Sequence, residues 1–554
     1  MAVLSVYQQL AESAEQYAER PFLHIPASAL SADSGLAEPI LQAFDASYAD
    51  MLGVANELRE QYRNIGLRVG DRVAILLQNK PEFFAHWFAL NGLGVCVVPV
   101  NSELMADEVS YLLGHSDVCL AVGFSHKLPL LENAAAAAGL QFPIVSDTNI
   151  SSVQLTDPGA EEVEGASLQT ISLQTECAIL YTSGSTGKPK GCLLSNEYFL
   201  NSGAWYRDAQ GYCKLEKGVE RLATPLPLVH MNAMACSTMG MLMTGGCVIQ
   251  LDRFHPKSWR ETIRATEATV VHYLGVMPAI LLNMPAQDGD DLNGQIKFGF
   301  GAGVNPVHHA PFEERFGFPL IESWGMTETG CSNCITAIVE PRHVGTSCIG
   351  KQPAGLDIKL LDESGHEVAA GEPGELLVRA TGDNPHKGFF SGYYKNQAAT
   401  DEAWQGGWLH TGDILRQGED GSFYFVDRLK NVIRRSGENI SALEVEATLS
   451  LNPQTDQVAV TAVPDEIRGD EVIACVILAD GAKPEQETAV QVLEQARQSL
   501  AYYKLPGYVV FLESLPLTAS NKPQRAELKK RAREIVANID SQANCFDLRA
   551  LKKK

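Results

Sequence analysis

This sequence is short of positive charge. It has 44 Lys and Arg against 67 Asp and Glu, for a formal net charge of -23. A protein that reads nucleic-acid backbones carries the opposite excess, and adhesion to acidic membranes is disfavoured on the same ground. The imbalance serves solubility first of all. It still leaves room for anionic substrates, which one local basic loop can hold. Long apolar runs are scarce too. The one stretch that invites comparison with a membrane span is residues 231–249, uncharged over nineteen positions. It contains Asn232, Ser237, Thr238, Thr244 and Gly245-Gly246 among mostly small side chains. We therefore expect a buried, close-packed helix, a GG turn and a strand over CVIQL, and no integral membrane segment. The N-terminus MAVLSVYQQLAES lacks a basic region followed by an apolar core, so an amphipathic helix is expected there and not a signal peptide. No period marks tandem repeats. The twelve Cys are scattered from Cys96 to Cys545, several among apolar neighbours, which reads as buried free thiols in a reducing, cytoplasmic compartment.

A chain of 554 residues exceeds what one hydrophobic core usually organises, so at least two domains are expected. Residues 71–77 (DRVAILL) read as a buried strand. Asn79 then caps a helix that begins at Pro81, and residues 96–100 give the next strand. Further strand–helix units recur near 221–226, 246–250, 269–274 and 296–300, the pattern of α/β units around parallel sheets. After residue 350 the pattern changes to short apolar–polar alternation broken by turns, as in an antiparallel, partly barrel-like section. Residues 431–525 read as a compact α+β unit, with helices at 441–450 and near 487–499 and strands at 458–463, 471–478 and 507–511. The tail from about 540 reads as partly ordered helix, with LKKK a solvated terminus.

The strongest local signal is Tyr181-Thr182-Ser183-Gly184-Ser185-Thr186-Gly187-Lys188-Pro189-Lys190-Gly191, which follows the apolar strand end CAIL. Its glycines allow tight backbone turns with exposed N–H groups, and its hydroxyls and lysines add donors and positive charge. That is the chemistry for holding a polyphosphate. It is not the common nucleotide loop, because Pro189 stands where that motif has Ser or Thr at the start of a helix.

This string resembles the phosphate-binding signature of the adenylate-forming superfamily, which includes acyl- and aryl-CoA synthetases, firefly-type luciferases and peptide-synthetase adenylation domains. Four further strings resemble the family's later signatures, in order: Ser323-Trp324-Gly325-Met326-Thr327-Glu328-Thr329; Gly407-Trp408-Leu409-His410-Thr411-Gly412-Asp413; Phe425-Val426-Asp427-Arg428-Leu429-Lys430 with Gly437-Glu438-Asn439-Ile440; and Ser520-Asn521-Lys522-Pro523-Gln524-Arg525. In the last, Asn521 stands where the family usually has glycine. The resemblance spans about residues 10–530. Within the superfamily, local strings such as Tyr503-Lys504-Leu505-Pro506 are most similar to bacterial acid–CoA ligases of the crotonobetaine/carnitine type, although fatty-acid ligases share them.

The resemblance implies an α/β protein. Residues 1–429 would form a large N-terminal domain of two α/β subdomains plus a small β-barrel. Residues 430–554 would form a mobile α+β C-terminal domain, with the hinge at Lys430. It implies an AMP-forming acid–CoA ligase that uses ATP and Mg2+ and takes coenzyme A as co-substrate. Thr182, Ser183, Gly184, Ser185, Thr186, Gly187, Lys188 and Lys190 would hold the ATP phosphates. Gly301, Ala302, Gly303, Ser323, Trp324, Gly325 and Met326 would border the nucleotide, with Thr327 at the α-phosphate and Glu328 as the magnesium ligand. Asp413 and Arg428 would hold the ribose. His230, Met231, Asn232, Val276, Met277, Pro278, Val304 and Thr329 would line the acyl pocket, with Ala302 beside them. Such a wall is mostly apolar and suits a short, medium or aromatic acid. Gly437 and Glu438 would lie on the coenzyme A path. Lys522 would carry most of the adenylation step by offsetting the repulsion between a carboxylate and the α-phosphate.

Other readings remain beside this one. A stand-alone adenylase that loads a carrier protein is one, and an inactive family member acting as a scaffold is another. Cys331-x2-Cys334 with His343 and Cys348 suggests zinc, but the spacing is loose and packing is the better reading. A small carboxylic acid is the expected partner, nucleic acid is not, and a homodimer is left open.

Overall fold

The computed structural model describes residues 3–32, 42–155, 170–182, 189–429, 431–435, 438–465, 469–500, 502–517 and 523–552. The chain forms two compact units. One comprises Met1–Val304, His308–Asp357 and Val378–Leu409; the other comprises Asn305–Val307, Ile358–Leu377 and His410–Lys554.

The first unit is built on two sheets. In one, the strands run in the order Gly392–Tyr393, Lys190–Ser195, Glu176–Thr182, Cys96–Pro99, Arg72–Leu76, Leu120–Gly123 and Ile144–Ser146. Its pairs are parallel from Glu176–Thr182 onward, whereas Glu176–Thr182 and Lys190–Ser195 are antiparallel. The other is a parallel run in which Leu320–Trp324, Phe298–Ala302, Val270–Leu274, Arg221–Thr224, Cys247–Gln250 and Pro21–Ile25 are successive neighbours. Continuous apolar strands such as VAIL and CVVP are buried on both faces, as parallel strands between helical layers must be.

Two local expectations need correction. Asn79 does not cap the helix Pro81–Asn91; Lys80 stands at the cap and makes no side-chain cap bond. The Asn79 amide is buried and bridges two segments. Its Nδ2 donates to the Leu251 carbonyl at 2.9 Å and its Oδ1 accepts from the Leu228 N–H at 2.9 Å, two residues before His230. A buried amide satisfied by four backbone groups outcompetes a solvent-facing cap. Lys552 is the other case. It is buried and its ammonium donates to Glu471, which Arg435 also engages at 2.9 Å.

The uncharged stretch folds as expected into buried helix, turn and strand, with one refinement. Residues Asn232–Thr238 form a π-helix that continues into Met239–Thr244, and Gly245 ends it in left-handed geometry before the strand Cys247–Gln250. Among the described residues no helix is long and apolar enough to cross a membrane.

The strands Leu356–Leu361, Pro373–Ala380, Leu409–Gln417 and Ser422–Arg428 are successive neighbours. The C-terminal sheet has the order Glu438–Ile440, Ile433–Arg435, Gly469–Leu478, Tyr508–Phe511 and Cys545–Asp547, with Thr455–Asp465 paired to Gly469–Leu478. The helices Ala442–Leu449 and Gln486–Ala496 bury Val445, Leu449, Val492 and Leu493 against it. The helix Arg525–Ala537 ends before the tail, which from residue 540 has short 3-10 turns and the strand Cys545–Asp547 in place of the expected helix. Asp427 ties Ser422–Arg428 to Ala442–Leu449 by accepting from the Ser441 hydroxyl at 3.0 Å and the Leu443 N–H at 3.2 Å.

Candidate active site

The glycine-rich string joins strand to strand. Thr182 and Lys190 are register partners at the open ends of antiparallel strands. The last residues of the string are held by two other segments. Tyr111 donates to the Pro189 carbonyl at 3.0 Å, and Tyr394 N–H donates to the Gly191 carbonyl at 2.8 Å. Ser183, Gly184, Ser185, Thr186, Gly187 and Lys188 lie outside the described residues, as do Lys430, Gly437 and Lys522.

The second signature leaves the buried strand Leu320–Trp324. Trp324 is buried at its end, and Ser323 bonds Thr336 on the neighbouring strand at 2.8 Å. Gly325 is exposed, and Met326 and Thr327 are half-buried. Thr329, expected on the acyl wall, is fully buried with its hydroxyl committed to the turn: it accepts from the Met326 N–H at 3.0 Å. That turn presents Glu328, a residue only 5% exposed. The Tyr393 hydroxyl donates to Glu328 Oε1 at 2.7 Å, and Lys190 Nζ lies 4.5 Å from the centre of the Tyr393 ring. Among the described residues no cation pairs with Glu328. Burial and the Glu328 charge both push the Cys192 thiol and the Tyr393 phenol upward, so both stay protonated beside the carboxylate.

Three residues that shape this region escaped sequence reasoning. Tyr198, on the helix Asn196–Asp208, donates to the Thr327 carbonyl at 2.9 Å. Tyr393 is described above. Glu322 lies wholly inside the unit and accepts from the Gly303 N–H at 2.9 Å and the Tyr273 hydroxyl at 2.7 Å, which fixes the Gly301-Ala302-Gly303 turn. Burial raises the Glu322 carboxyl, while these hydrogen bonds favour its charged form. Gly301 admits no side chain, since a Cβ there would lie 2.3 Å from the Tyr273 carbonyl oxygen. None of the three stands out by type or spacing; only the loops they touch give them meaning.

The expected acyl wall divides. His230 is exposed and begins the π-helix turn, with Met231 and Asn232 half-buried. Asn232 Oδ1 lies 2.7 Å from His272 Nδ1, and Tyr206 contacts the other ring nitrogen at 3.0 Å. Complete burial drives the His272 pKa down to about 3, so this imidazole is neutral. Val276 is exposed, but Met277 and Val304 sit in an apolar cluster with Trp259, Phe312 and Leu320, and Pro278 lines a small cleft beside it. Cys331 and Cys236 lie side by side with Cα atoms 6.0 Å apart, and both sulfurs lie 3.8 Å from the Met231 sulfur. Of the other ten cysteines, nine are buried free thiols and Cys119 is half-buried. Cys334 and Cys348 are buried.

In the second unit, Asp413 and Arg428 are cross-strand partners, with Arg428 Nε 3.3 Å from Asp413 Oδ1. Asp413 is buried while Arg428 is largely exposed. Gly412 takes a positive φ of 68°, and its N–H donates to Glu375 at 3.2 Å. Glu438 lies on the strand paired to Ile433–Arg435. Leu517 and Pro523 form a bridge, and Gln524 N–H donates to the Pro516 carbonyl at 2.8 Å. Arg525 then forks onto Glu446 of the helix Ala442–Leu449 and onto the Val460 carbonyl.

The chain has relatives among known proteins. Residues 10–394 match the family model described as AMP-binding enzyme, and residues 444–522 match that of the AMP-binding enzyme C-terminal domain. The chain is 30% identical over 509 residues to a crotonobetaine/carnitine–CoA ligase of Salmonella heidelberg, covering 89% of this chain and 94% of that one. It is 28% identical over 502 residues to the enzyme of the same name from Escherichia coli O157:H7, covering 87% and 93%. Among solved structures, an o-succinylbenzoate coenzyme A synthetase from Bacillus subtilis in complex with ATP and magnesium ion is similar, with a TM-score of 0.76, 25% identity and coverage of 94% and 99%. An anthranilate CoA ligase in complex with anthranoyl-AMP superposes with a TM-score of 0.80 at 22% identity, covering 97% and 99%.

Proposed function

The chain belongs to the AMP-binding enzyme family, and on that basis we propose how its own residues divide the two steps of an AMP-forming acid–CoA ligase. The reaction is the family's: a carboxylic acid and ATP give an acyl-adenylate and pyrophosphate, and the coenzyme A thiol then displaces AMP to form the thioester. No side-chain nucleophile is needed for either step.

The observation that carries the assignment is the condition of Glu328. Glu328 is 5% exposed, accepts from the Tyr393 hydroxyl and shares the Tyr393 side chain with Lys190, so the carboxylate and the ammonium are gathered at one place. Mg2+ fits such a donor, since it binds through one or two carboxylates together with substrate phosphates. When bound there it supplies charge to stabilise the departing pyrophosphate. Lys190 and the residues 182–188 hold the phosphates, and Thr327 meets the α-phosphate. The turn fixed by Glu322 borders the adenine. Asp413 accepts from the ribose hydroxyls with Arg428 beside it. Lys522 offsets the repulsion between the incoming carboxylate and the α-phosphate. Rotation at Lys430 then exchanges Lys522 for residues 437–438 on the coenzyme A path. The strands from Leu356–Leu361 to Ser422–Arg428 correspond to the family's small barrel.

The relatives in Salmonella and Escherichia coli are named for crotonobetaine and carnitine. For this chain we take a short, medium or aromatic acid, because the residues expected around it carry no charge. The test is pyrophosphate release over a panel of acids that includes crotonobetaine and carnitine, with and without coenzyme A, followed by mass detection of the thioester. AMP and pyrophosphate are expected, and ADP with phosphate would refute the assignment. Lys522→Ala is expected to slow adenylation by about 10²-fold, the loss typical of a transition-state donor, and to leave thioester formation from supplied acyl-adenylate within about tenfold.

A further inference from the structure

Tyr393 touches both groups to which the metal–pyrophosphate half of the reaction has been assigned. Its hydroxyl donates to Glu328 Oε1 at 2.7 Å, and the face of its ring lies 4.5 Å from Lys190 Nζ. The backbone around it is fastened to the same two elements. The Phe390 N–H donates to the Glu328 carbonyl at 2.9 Å. The Ser391 and Tyr394 N–H groups each donate at 2.8 Å to carbonyls of the strand Lys190–Ser195, at Leu193 and Gly191. Gly392 and Tyr393 pair in register with Leu193 and Cys192, and Gly392 adopts a φ of 143°, in the region that favours glycine. The segment from 390 to 394 is thus a strap between the turn that presents Glu328 and the strand that presents Lys190. Tyr393 is the side chain that reaches from this strap to the two charges.

We propose that Tyr393 is a positioning residue that sets Glu328 and Lys190 at a fixed separation, orienting the carboxylate for Mg2+ through its hydroxyl and the lysine for the ATP phosphates through its ring. The inference rests on the reading of Glu328 as the metal ligand. The physical division is clean, because the two contacts use different parts of one side chain. A hydroxyl hydrogen bond to a carboxylate fixes which oxygen stays free for a cation. A cation over an aromatic face is held by the ring quadrupole, which the hydroxyl does not supply. Tyr393→Phe therefore removes one function and Tyr393→Leu removes both, while the backbone strap remains.

The experiment is calorimetric titration of ATP into the full-length wild type and both variants, with Mg2+ and with EDTA, needing neither acid nor turnover. Melting curves confirm that the variants fold. Tyr393→Phe is expected to bind metal-free ATP within about threefold of wild type but to lose about tenfold of the affinity that Mg2+ adds, as for a hydrogen bond to a charged group. Tyr393→Leu is expected to weaken ATP binding under both conditions. A Tyr393→Phe variant that keeps the full Mg2+ gain, or loses the same factor with and without metal, overturns the proposal and leaves the ligase assignment standing. A wild type whose ATP binding ignores Mg2+ overturns both.

Discussion

Replacing Glu446 by Leu should reveal how strongly the Lys522 segment depends on a buried ion pair far along the chain. Arg525 follows Lys522 by three residues, and its guanidinium bonds both Glu446 oxygens and the Val460 carbonyl. Glu446 also accepts the Val460 N–H at 2.6 Å. The side chains are 23% and 12% exposed, so water cannot replace what is lost. Glu446→Leu keeps the volume but strands the guanidinium, a change that costs about 3–5 kcal/mol when one partner of a buried pair is removed. At roughly 2–4 °C per kcal/mol for a unit of this size, the C-terminal unfolding transition should fall by about 10 °C. Glu446→Leu combined with Arg525→Met removes both charges and should recover most of that loss. Pyrophosphate release by the single variant should drop about tenfold to 10²-fold, since displacement of a catalytic group by about 1 Å has effects of that size. The assays are thermal unfolding of the full chain followed by circular dichroism, and single-turnover pyrophosphate release. A transition lowered by less than about 1 kcal/mol, the worth of a solvent-screened surface pair, would refute the reasoning, as would a double variant no more stable than the single one.

Glu328→Ala should leave a folded protein whose Mg2+-dependent pyrophosphate release is reduced by about 10²-fold, and near-normal turnover would remove the metal assignment. Lys430→Pro should preserve adenylation while cutting thioester formation steeply, because proline fixes φ at the hinge; equal loss in both half-reactions, measured separately, would count against it. Stability should also fall in acid through Glu313. Burial raises its carboxyl, but Arg342, His309 and the Leu320 N–H outweigh that and hold it down to about 2 against an unperturbed 4.5. A carboxyl depressed in the folded state stabilises above its unfolded pKa and loses that contribution as pH falls through its folded one. Denaturant unfolding of Glu313→Gln should therefore show a shallower loss of stability than wild type between about pH 4.5 and 2.

The sequence by itself determined the chemistry class, because that class depends on residue types in order along the chain: a glycine-rich polyphosphate string, an acid after Trp-Gly-Met-Thr, an aspartate after Thr-Gly. It also settled the α/β units and the C-terminal helices and strands, since apolar periodicity records which faces are buried. The burial of the uncharged 231–249 stretch followed from its small side chains, but its π-helical start did not, because one extra residue per turn leaves no mark on composition. Asn79 and Lys552 were misread for a shared reason. Each looked like a solvent-facing polar residue beside a helix or terminus, and each is buried by partners more than 70 residues away in sequence. Tyr198, Glu322 and Tyr393 are hidden in a related way, since their contacts with Thr327, Gly303 and Glu328 join separate elements. Local patterning fixes what a residue is and which face it lies on. The partner that satisfies a buried polar group is chosen only when distant strands come into register, and that decision belonged to the tertiary structure.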